Sequence, residues 1–165
     1  MNEQMRYQIL LFVAFLLPTL AGSAAGGVTI ARNGKATCVI VQADNATEPE
    51  KFAAKELATF LKRVTGAEFP VVAEQSLTAD RASRIYVGWT GYASRQGIDT
   101  SKLGEEEWVI RTVGDDLVLA GGQPRGTMYA VYDFLEDHVG CHWLDRKTEV
   151  IPLKPNSIRS SIPVS

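Results

Sequence analysis

The sequence predicts an α+β domain with two principal helices and several short β-strands. Hydrophobic residues make up 45% of the 165 residues and charged residues 22%, a composition typical of a globular chain with a substantial core. Two stretches, one after Thr47 and one after Pro124, have apolar residues at helical spacing. Short β-branched or alternating segments lie before, between and after them, which predicts the strands of the sheet.

Residues 1–25 are expected to be a secretory signal peptide and not part of the fold. Arg6 precedes the apolar run Ile9–Leu17, and Pro18 with several small residues follows it. The run is shorter than the ~20 apolar residues of a transmembrane helix. We therefore expect a secreted or periplasmic bacterial protein with no membrane attachment after cleavage, and an uncleaved N-terminal anchor is the alternative.

The domain is predicted to begin with a β-hairpin. Asn33-Gly34, a dipeptide that favours tight hairpin turns, separates Val28–Asn33 from the β-branched strand Thr37–Val41. Cys38 lies in this second strand, and Cys141 lies in a strand predicted near the end of the domain. A disulfide requires the two strands to be neighbours, and the interpretation we favour is two buried free thiols.

The first helix is predicted between Thr47 and Gly66. Thr47 and Glu50 have the spacing of a capping box, and Gly66 is able to take the positive φ that ends many helices. Five apolar residues form the stripe that faces the sheet: Ala53, Leu57, Phe60, Leu61 and Val64. Asn45-Ala46-Thr47 also matches an N-glycosylation sequon, but helix capping is a sufficient role for Thr47.

The clearest pattern lies in the stretch Glu107–Leu144, after two short predicted strands at 69–72 and 84–87. Its first part alternates, turns at Gly114–Asp116 and returns, which predicts a second hairpin. A glycine-rich corner, a helix from Pro124 to Gly140 and a closing strand complete it.

The glycine-rich corner Gly121–Gly126 lies between a strand and a helix, where phosphate-binding loops occur. Gly121 and Gly126 have P-loop spacing, but Thr127-Met128 occupies the place of the required Lys and Ser or Thr. Gly121, Gly122 and Gly126 are therefore predicted to permit a tight architectural turn. Arg125 is a candidate for contact with an anionic sugar or a partner-domain carboxylate, or it pairs with a nearby acid.

The sequence contains no set of residues sufficient for catalysis. Glycoside hydrolysis needs two carboxylates aimed at one bond, and the acidic groups at 105–107, 115–116 and 133–137 each read as solvated surface. His138, Cys141 and His142 lack a fourth metal ligand, so we predict neither a metal nor a cofactor.

Composition also argues against a nucleic acid as a binding partner. The net charge of −2 and the pI of about 5.7 provide no basic surface for a nucleic acid. Trp89, Trp108 and Trp143 are candidate residues for stacking on sugar rings, and a core or hinge role is the alternative.

The order of these features resembles the non-catalytic N-terminal domain of α-glucuronidase-like and β-hexosaminidase-like glycoside hydrolases, which also heads poorly characterised secreted bacterial proteins. The most specific segments are the Gly-Gly-x-x-Arg-Gly-x-x-Tyr-Ala corner at Gly121–Ala130 and the exit Phe134–Trp143. The resemblance covers residues 26–152. It implies a mainly antiparallel or mixed β-sheet with the two principal helices packed on one face. It also implies that catalysis belongs to a barrel that follows this domain, with 153–165 as the linker toward it.

The resemblance therefore implies a secreted accessory domain of a carbohydrate-active hydrolase, present here as a fragment. Its partner would be the catalytic barrel of the parent enzyme, with Arg125 and Trp143 at the contact surface. The alternative is a stand-alone secreted module that binds carbohydrate, through Trp89, Trp108 or Trp143, or binds another protein.

Overall fold

The computed structural model describes residues 27–78, 82–144, 148–155 and 157–160, and the predicted signal peptide lies outside them. The described chain has an α+β fold, as predicted. None of its helices is long and apolar enough to cross a membrane.

The strands form one central sheet and two small ones. They are β1 (Val28–Arg32), β2 (Lys35–Ala36), β3 (Cys38–Gln42), β4 (Val71–Ala73), β5 (Ser83–Val87), β6 (Trp108–Val113), β7 (Asp116–Gly121), β8 (His142–Trp143), β9 (Glu149–Val150) and β10 (Ser157–Ser160). The central sheet has the order β4-β3-β5-β7-β6 and is mixed, because only β6 and β7 pair antiparallel. Strands β10, β1 and β2 form the second sheet, and β8 and β9 form the third; all of their pairs are antiparallel.

The helices are α1 (Glu48–Thr65), α2 (Gly91–Arg95) and α3 (Gly126–Asp133), and a π-helical segment, Phe134–Val139, continues α3. As predicted, the two principal helices, α1 and α3, pack on the same face of the central sheet. Their apolar side chains share one core with Ile40, Ile85, Leu117 and Leu119. On the opposite face, Ala93 of α2 and Ile98 cover a smaller core that contains Val41, Tyr86 and Val118.

The opening hairpin differs from the prediction in its second strand. Asn33 and Gly34 form the turn with positive φ values of 51° and 69°, and β1 pairs with the short β2. The chain then leaves the hairpin at Thr37, and β3 enters the central sheet between β4 and β5. The apolar run of β3 suits this place, because strands of a parallel sheet are covered on both faces.

Part of the predicted linker 153–165 belongs to the fold. Strand β10 pairs with β1, and Ile158 within it is 4% exposed. Before it, the Lys154 N–H donates to the Val64 carbonyl at 2.7 Å, and the Pro155 carbonyl accepts from Gly34 N–H at 2.8 Å. The Pro- and Ser-rich composition of the segment does not reveal this pairing, because the partner strand lies at the other end of the domain.

Helix α3 begins at Gly126, two residues after the predicted start at Pro124. Gly126 N–H donates to the Gly122 carbonyl at 2.7 Å, which closes a turn that includes Pro124 before the helix starts. The helical segment ends as predicted at Gly140, whose φ is 87°.

Cys38 and Cys141 are both buried free thiols, and both face the core that α1 and α3 share with the sheet. Burial raises the pKa of the Cys38 thiol to about 12.

Candidate binding surface around the glycine-rich corner

Three segments of backbone meet at the corner. Gly122 N–H donates to the Glu107 carbonyl at 2.9 Å, and Glu107 N–H donates to the Gly104 carbonyl at 3.0 Å. A Cβ on Gly121 would meet the backbone of Gly126, and a Cβ on Gly122 would meet the carbonyl of Gly104. A Cβ on Gly126 would likewise meet the carbonyl of Glu107.

The reason for glycine at these positions is space and not backbone conformation. Gly121, Gly122 and Gly126 do not have positive φ values, so an L-residue could adopt the same backbone angles. Each side chain would instead overlap main-chain atoms, which cannot rotate away as a flexible side chain can. Because the N–H groups of Gly122 and Gly126 donate within the chain, they are unavailable to a phosphate.

Arg125 lies at the start of α3 and pairs with the acid that precedes β6. Its Nη2 donates to Glu106 Oε1 at 2.9 Å, and the two side chains are 54% and 67% exposed. Of the roles considered for Arg125, the structure therefore shows the pairing with a nearby acid. At this exposure the pair contributes little to stability, and both groups remain accessible to a ligand.

Trp89 lies where β5 ends and is fixed at two atoms. Its backbone N–H donates to Glu50 Oε1 at 2.8 Å, and its indole Nε1 donates to the Gly121 carbonyl at 3.0 Å. The residue is 36% exposed. Trp89 therefore joins the first turn of α1 to the glycine-rich corner.

The sequence indicates only the capping role of Glu50, and the structure shows a second role for its carboxylate. Its carboxylate accepts from Thr47 N–H and Thr47 Oγ1, each at 2.8 Å, as well as from Trp89 N–H. The residue is only 3% exposed, and a buried carboxylate requires such donors. Gly88 has a φ of 83°, and a Cβ there would meet this carboxylate. In the sequence, the available indication of this contact is the pair Gly88-Trp89 after an apolar strand. No local sequence pattern connects that pair to Glu50.

Trp108 lies on the other side of Gly121. It is the cross-strand partner of Gly121 in the β6–β7 pair. Its Nε1 donates to Asp133 Oδ2 at 2.9 Å, and its ring centroid lies 5.9 Å from that of Tyr129. Trp108 as a whole residue is 43% exposed. Trp89, Trp108 and Arg125, three of the four predicted binding residues, are thus brought together around the corner.

Trp143 does not join them. It lies in β8, and its ring packs edge to face with those of Phe60 of α1 and Tyr132 of α3. The ring centroids are 5.3 Å and 5.1 Å apart, respectively. It is half-buried against the main core. This packing is the core role that was the alternative to sugar stacking, and it separates Trp143 from the surface that carries Arg125.

The candidate metal and acidic residues have structural contacts. Cys141 is buried, whereas His142 is exposed and lies 3.6 Å from Glu136. In the described chain, no group of three or more His, Cys, Asp or Glu side chains has an arrangement that could hold a metal ion. The Glu107 carboxylate accepts from Gly104 N–H at 2.8 Å, and that of Asp116 accepts from Arg84 N–H at 2.9 Å.

Comparison with known proteins places these features in one family. The family model described as glycosyl hydrolase family 67 N-terminus matches residues 29–134, which is more than half of the chain. The match includes α1, the hairpin β6–β7, the glycine-rich corner and α3, and it ends before Trp143. No curated protein matches the chain. The chain belongs to the family of the glycosyl hydrolase family 67 N-terminus, the N-terminal domain of α-glucuronidases.

Proposed function

We propose that this chain is the non-catalytic N-terminal accessory domain of a secreted α-glucuronidase-like glycoside hydrolase. The family match over residues 29–134 is the observation that carries the proposal. The proposed secretion is supported by the signal-like order of charge, apolar run and small residues within 1–25. The non-catalytic role is supported by the acids Glu50, Glu107 and Asp133, whose carboxylates accept hydrogen bonds from the chain itself.

The partner in this proposal is the catalytic barrel of the parent enzyme, and the docking surface is aliphatic. It consists of Leu144, Val150 and Leu153, which are 68%, 48% and 82% exposed. His142 pairs with Val150 and Trp143 with Glu149 in the β8–β9 hairpin. Because side chains alternate along strands, Leu144 and Val150 lie on the outer face when Trp143 faces inward.

This aliphatic surface is held in place by contacts on its inner side. Trp143 packs between Phe60 and Tyr132, and Arg63 of α1 forms an ion pair with Glu149. An isolated two-stranded sheet is marginally stable, and exposed aliphatic clusters usually mark interaction sites.

An activity assay tests the non-catalytic role. The purified full chain is expected to be folded by circular dichroism and to give no turnover of aryl glycosides or glucuronoxylan oligomers. Turnover that disappears in Glu106→Gln or Asp133→Asn, with the fold retained, would contradict the proposal.

A binding assay tests the docking surface separately. The chain is mixed with the isolated catalytic barrel of a family 67 enzyme, and association is measured by calorimetry. Leu144→Ser and Leu153→Ser are expected to weaken association. Val71→Ser is the matched control, because Val71 is an exposed aliphatic residue, 38% exposed, on the edge strand β4. Equal affinity of all three variants would show that barrel docking does not use this surface.

A further inference from the structure

We propose that the aromatic surface around the glycine-rich corner binds a chain of neutral pyranose sugars. This aromatic surface consists of Trp89, Trp108 and Tyr129. It is a different surface from the aliphatic one, and the inference does not depend on which catalytic domain, if any, follows this chain.

The two tryptophans are oriented before any ligand arrives. Each indole N–H is already bonded within the protein, that of Trp89 to the Gly121 carbonyl and that of Trp108 to Asp133. What remains for a ligand is the face of each ring. Because the rings are held in place, stacking on them costs little conformational entropy.

Gly121 allows the two rings to flank a single residue. Trp89 bonds to its carbonyl, and Trp108 is its cross-strand partner. Gly121 has no side chain to rise between them, and the corner has no space for one. Trp89 and Trp108 therefore flank the end of β7, an arrangement that suits an elongated ligand with repeated apolar faces.

The exposed large apolar residues of the described chain divide by chemistry. The aliphatic ones are Val71, Leu144, Val150 and Leu153, whereas Phe52, Trp89 and Trp108 are aromatic. Of the aromatic ones, Trp89 and Trp108 lie on either side of Gly121. A pyranose ring offers a flat face of C–H groups that stacks on an aromatic ring, while its hydroxyl groups need polar partners at the rim.

Polar partners surround the rings. Arg125 and Glu106 form an exposed pair at the corner, and Asp133 holds Trp108 through one carboxylate oxygen. These groups have donors and acceptors for hydroxyl groups, and the net charge of the Arg125–Glu106 pair is zero, which favours an uncharged ligand. A protein partner that packed here and excluded water would have to remove the water around the Arg125–Glu106 ion pair without replacing those hydrogen bonds.

The test uses the purified full chain, with xylohexaose, cellohexaose, mannohexaose and chitohexaose as probes, measured by calorimetry and by tryptophan fluorescence. Saturable binding of at least one probe is expected. Loss of one stacking ring is expected to weaken it by about tenfold or more, so Trp89→Ala and Trp108→Ala should each do so. Val71→Ala, on the edge strand β4 of the central sheet, is the control and should leave the affinity unchanged.

Two further measurements keep the result interpretable. Thermal unfolding establishes that each variant is folded, and Trp108→Phe, which keeps an aromatic face, should retain more affinity than Trp108→Ala. Binding that survives both alanine substitutions, or no saturable binding to any of the four probes, would overturn the proposal. Self-association of the chain that Trp108→Ala abolishes, in the absence of sugar binding, would assign the surface to a second copy instead.

Discussion

Substitution of Gly122 by alanine tests whether the corner is an architectural turn. The added Cβ would overlap the carbonyl of Gly104 and the backbone of Leu103. Overpacking a well-packed site costs about 1–3 kcal/mol and occasionally more. Because the atoms in the way are main-chain atoms of a second segment, we expect the upper end, at least ~3 kcal/mol. For a domain of this size, that lowers the melting temperature by roughly 10 °C.

Gly104→Ala is the matched control, because Gly104 provides the other side of the same contact. A Cβ there would lie 3.5 Å from the Glu107 side chain, an ordinary van der Waals distance. Both substitutions restrict the unfolded chain equally, so the difference between them isolates the overlap. Gly104→Ala is expected to be neutral or to stabilise by about 0.4–1 kcal/mol.

A third variant separates space from backbone conformation. Gly114 lies in the β6–β7 turn with a φ of 60° and no atom within 4 Å of an added Cβ. Gly114→Ala should cost only the left-handed backbone penalty, about 1–2 kcal/mol. Urea unfolding of the three variants at pH 7 measures all of these values. A difference below about 1 kcal/mol between Gly122→Ala and Gly104→Ala would refute the role assigned to the corner.

Three further predictions concern buried groups. Glu50→Gln should lower the free energy of unfolding in urea by about 2–3 kcal/mol, because an amide cannot accept hydrogen bonds at both positions where the carboxylate oxygens do. Glu48→Gln is the control, because it changes a side chain that is 86% exposed, and it should cost less than ~0.5 kcal/mol. Equal costs for the two variants would contradict the role assigned to Glu50. Cys38 and Cys141, both buried, should resist Ellman's reagent at pH 8 in the native state and react together after unfolding; fast native reaction would contradict their burial. Burial raises the pKa of Cys38 to about 12, and burial followed by the Glu56 hydrogen bond raises the pKa of Tyr132 to about 12. The unfolded state therefore loses these protons first, so the contribution of these two groups to the free energy of unfolding should be constant below pH ~8 and fall as the pH rises from about 9 toward 12. Cys38→Ala should make the free energy of unfolding fall less steeply with pH near pH 9, where the thiol of the unfolded chain ionises. Identical pH profiles for this variant and the original chain would argue against the Cys38 thiol as a cause of the fall.

Elements that depend on neighbouring residues could be predicted from the sequence. The capping pair of Thr47 and Glu50, the ends at Gly66 and Gly140 and the β6–β7 hairpin are all local patterns, and the structure contains each of them. The apolar stripe of α1 also gave the correct buried face, because helical periodicity is a property of the segment itself.

Pairings between distant segments could not be predicted in this way. The patterns of β3 and β10 do not reveal which strands they join, since backbone hydrogen bonds carry no residue-specific signal. The same limit applies to the candidate surface. From the sequence alone, the three tryptophans are equally good candidates for stacking on sugar rings. Only the fold shows that Trp143 packs against Phe60 and Tyr132. Trp89 and Trp108 instead lie at the glycine-rich corner.

The positions of the two proposed surfaces along α1 have a testable consequence. Trp89 of the aromatic surface donates a hydrogen bond to Glu50 in the first turn of α1. Lys154, which follows Leu153, donates a hydrogen bond to the Val64 carbonyl in the last turn of α1. At 1.5 Å per residue, these two contacts are about 20 Å apart. Sites at that distance with no shared partner are expected to behave independently. Leu153→Ser should therefore weaken barrel association without changing sugar affinity, and Trp108→Ala should do the reverse. Loss of both activities in either single variant, with the fold intact, would mean that one surface serves both roles.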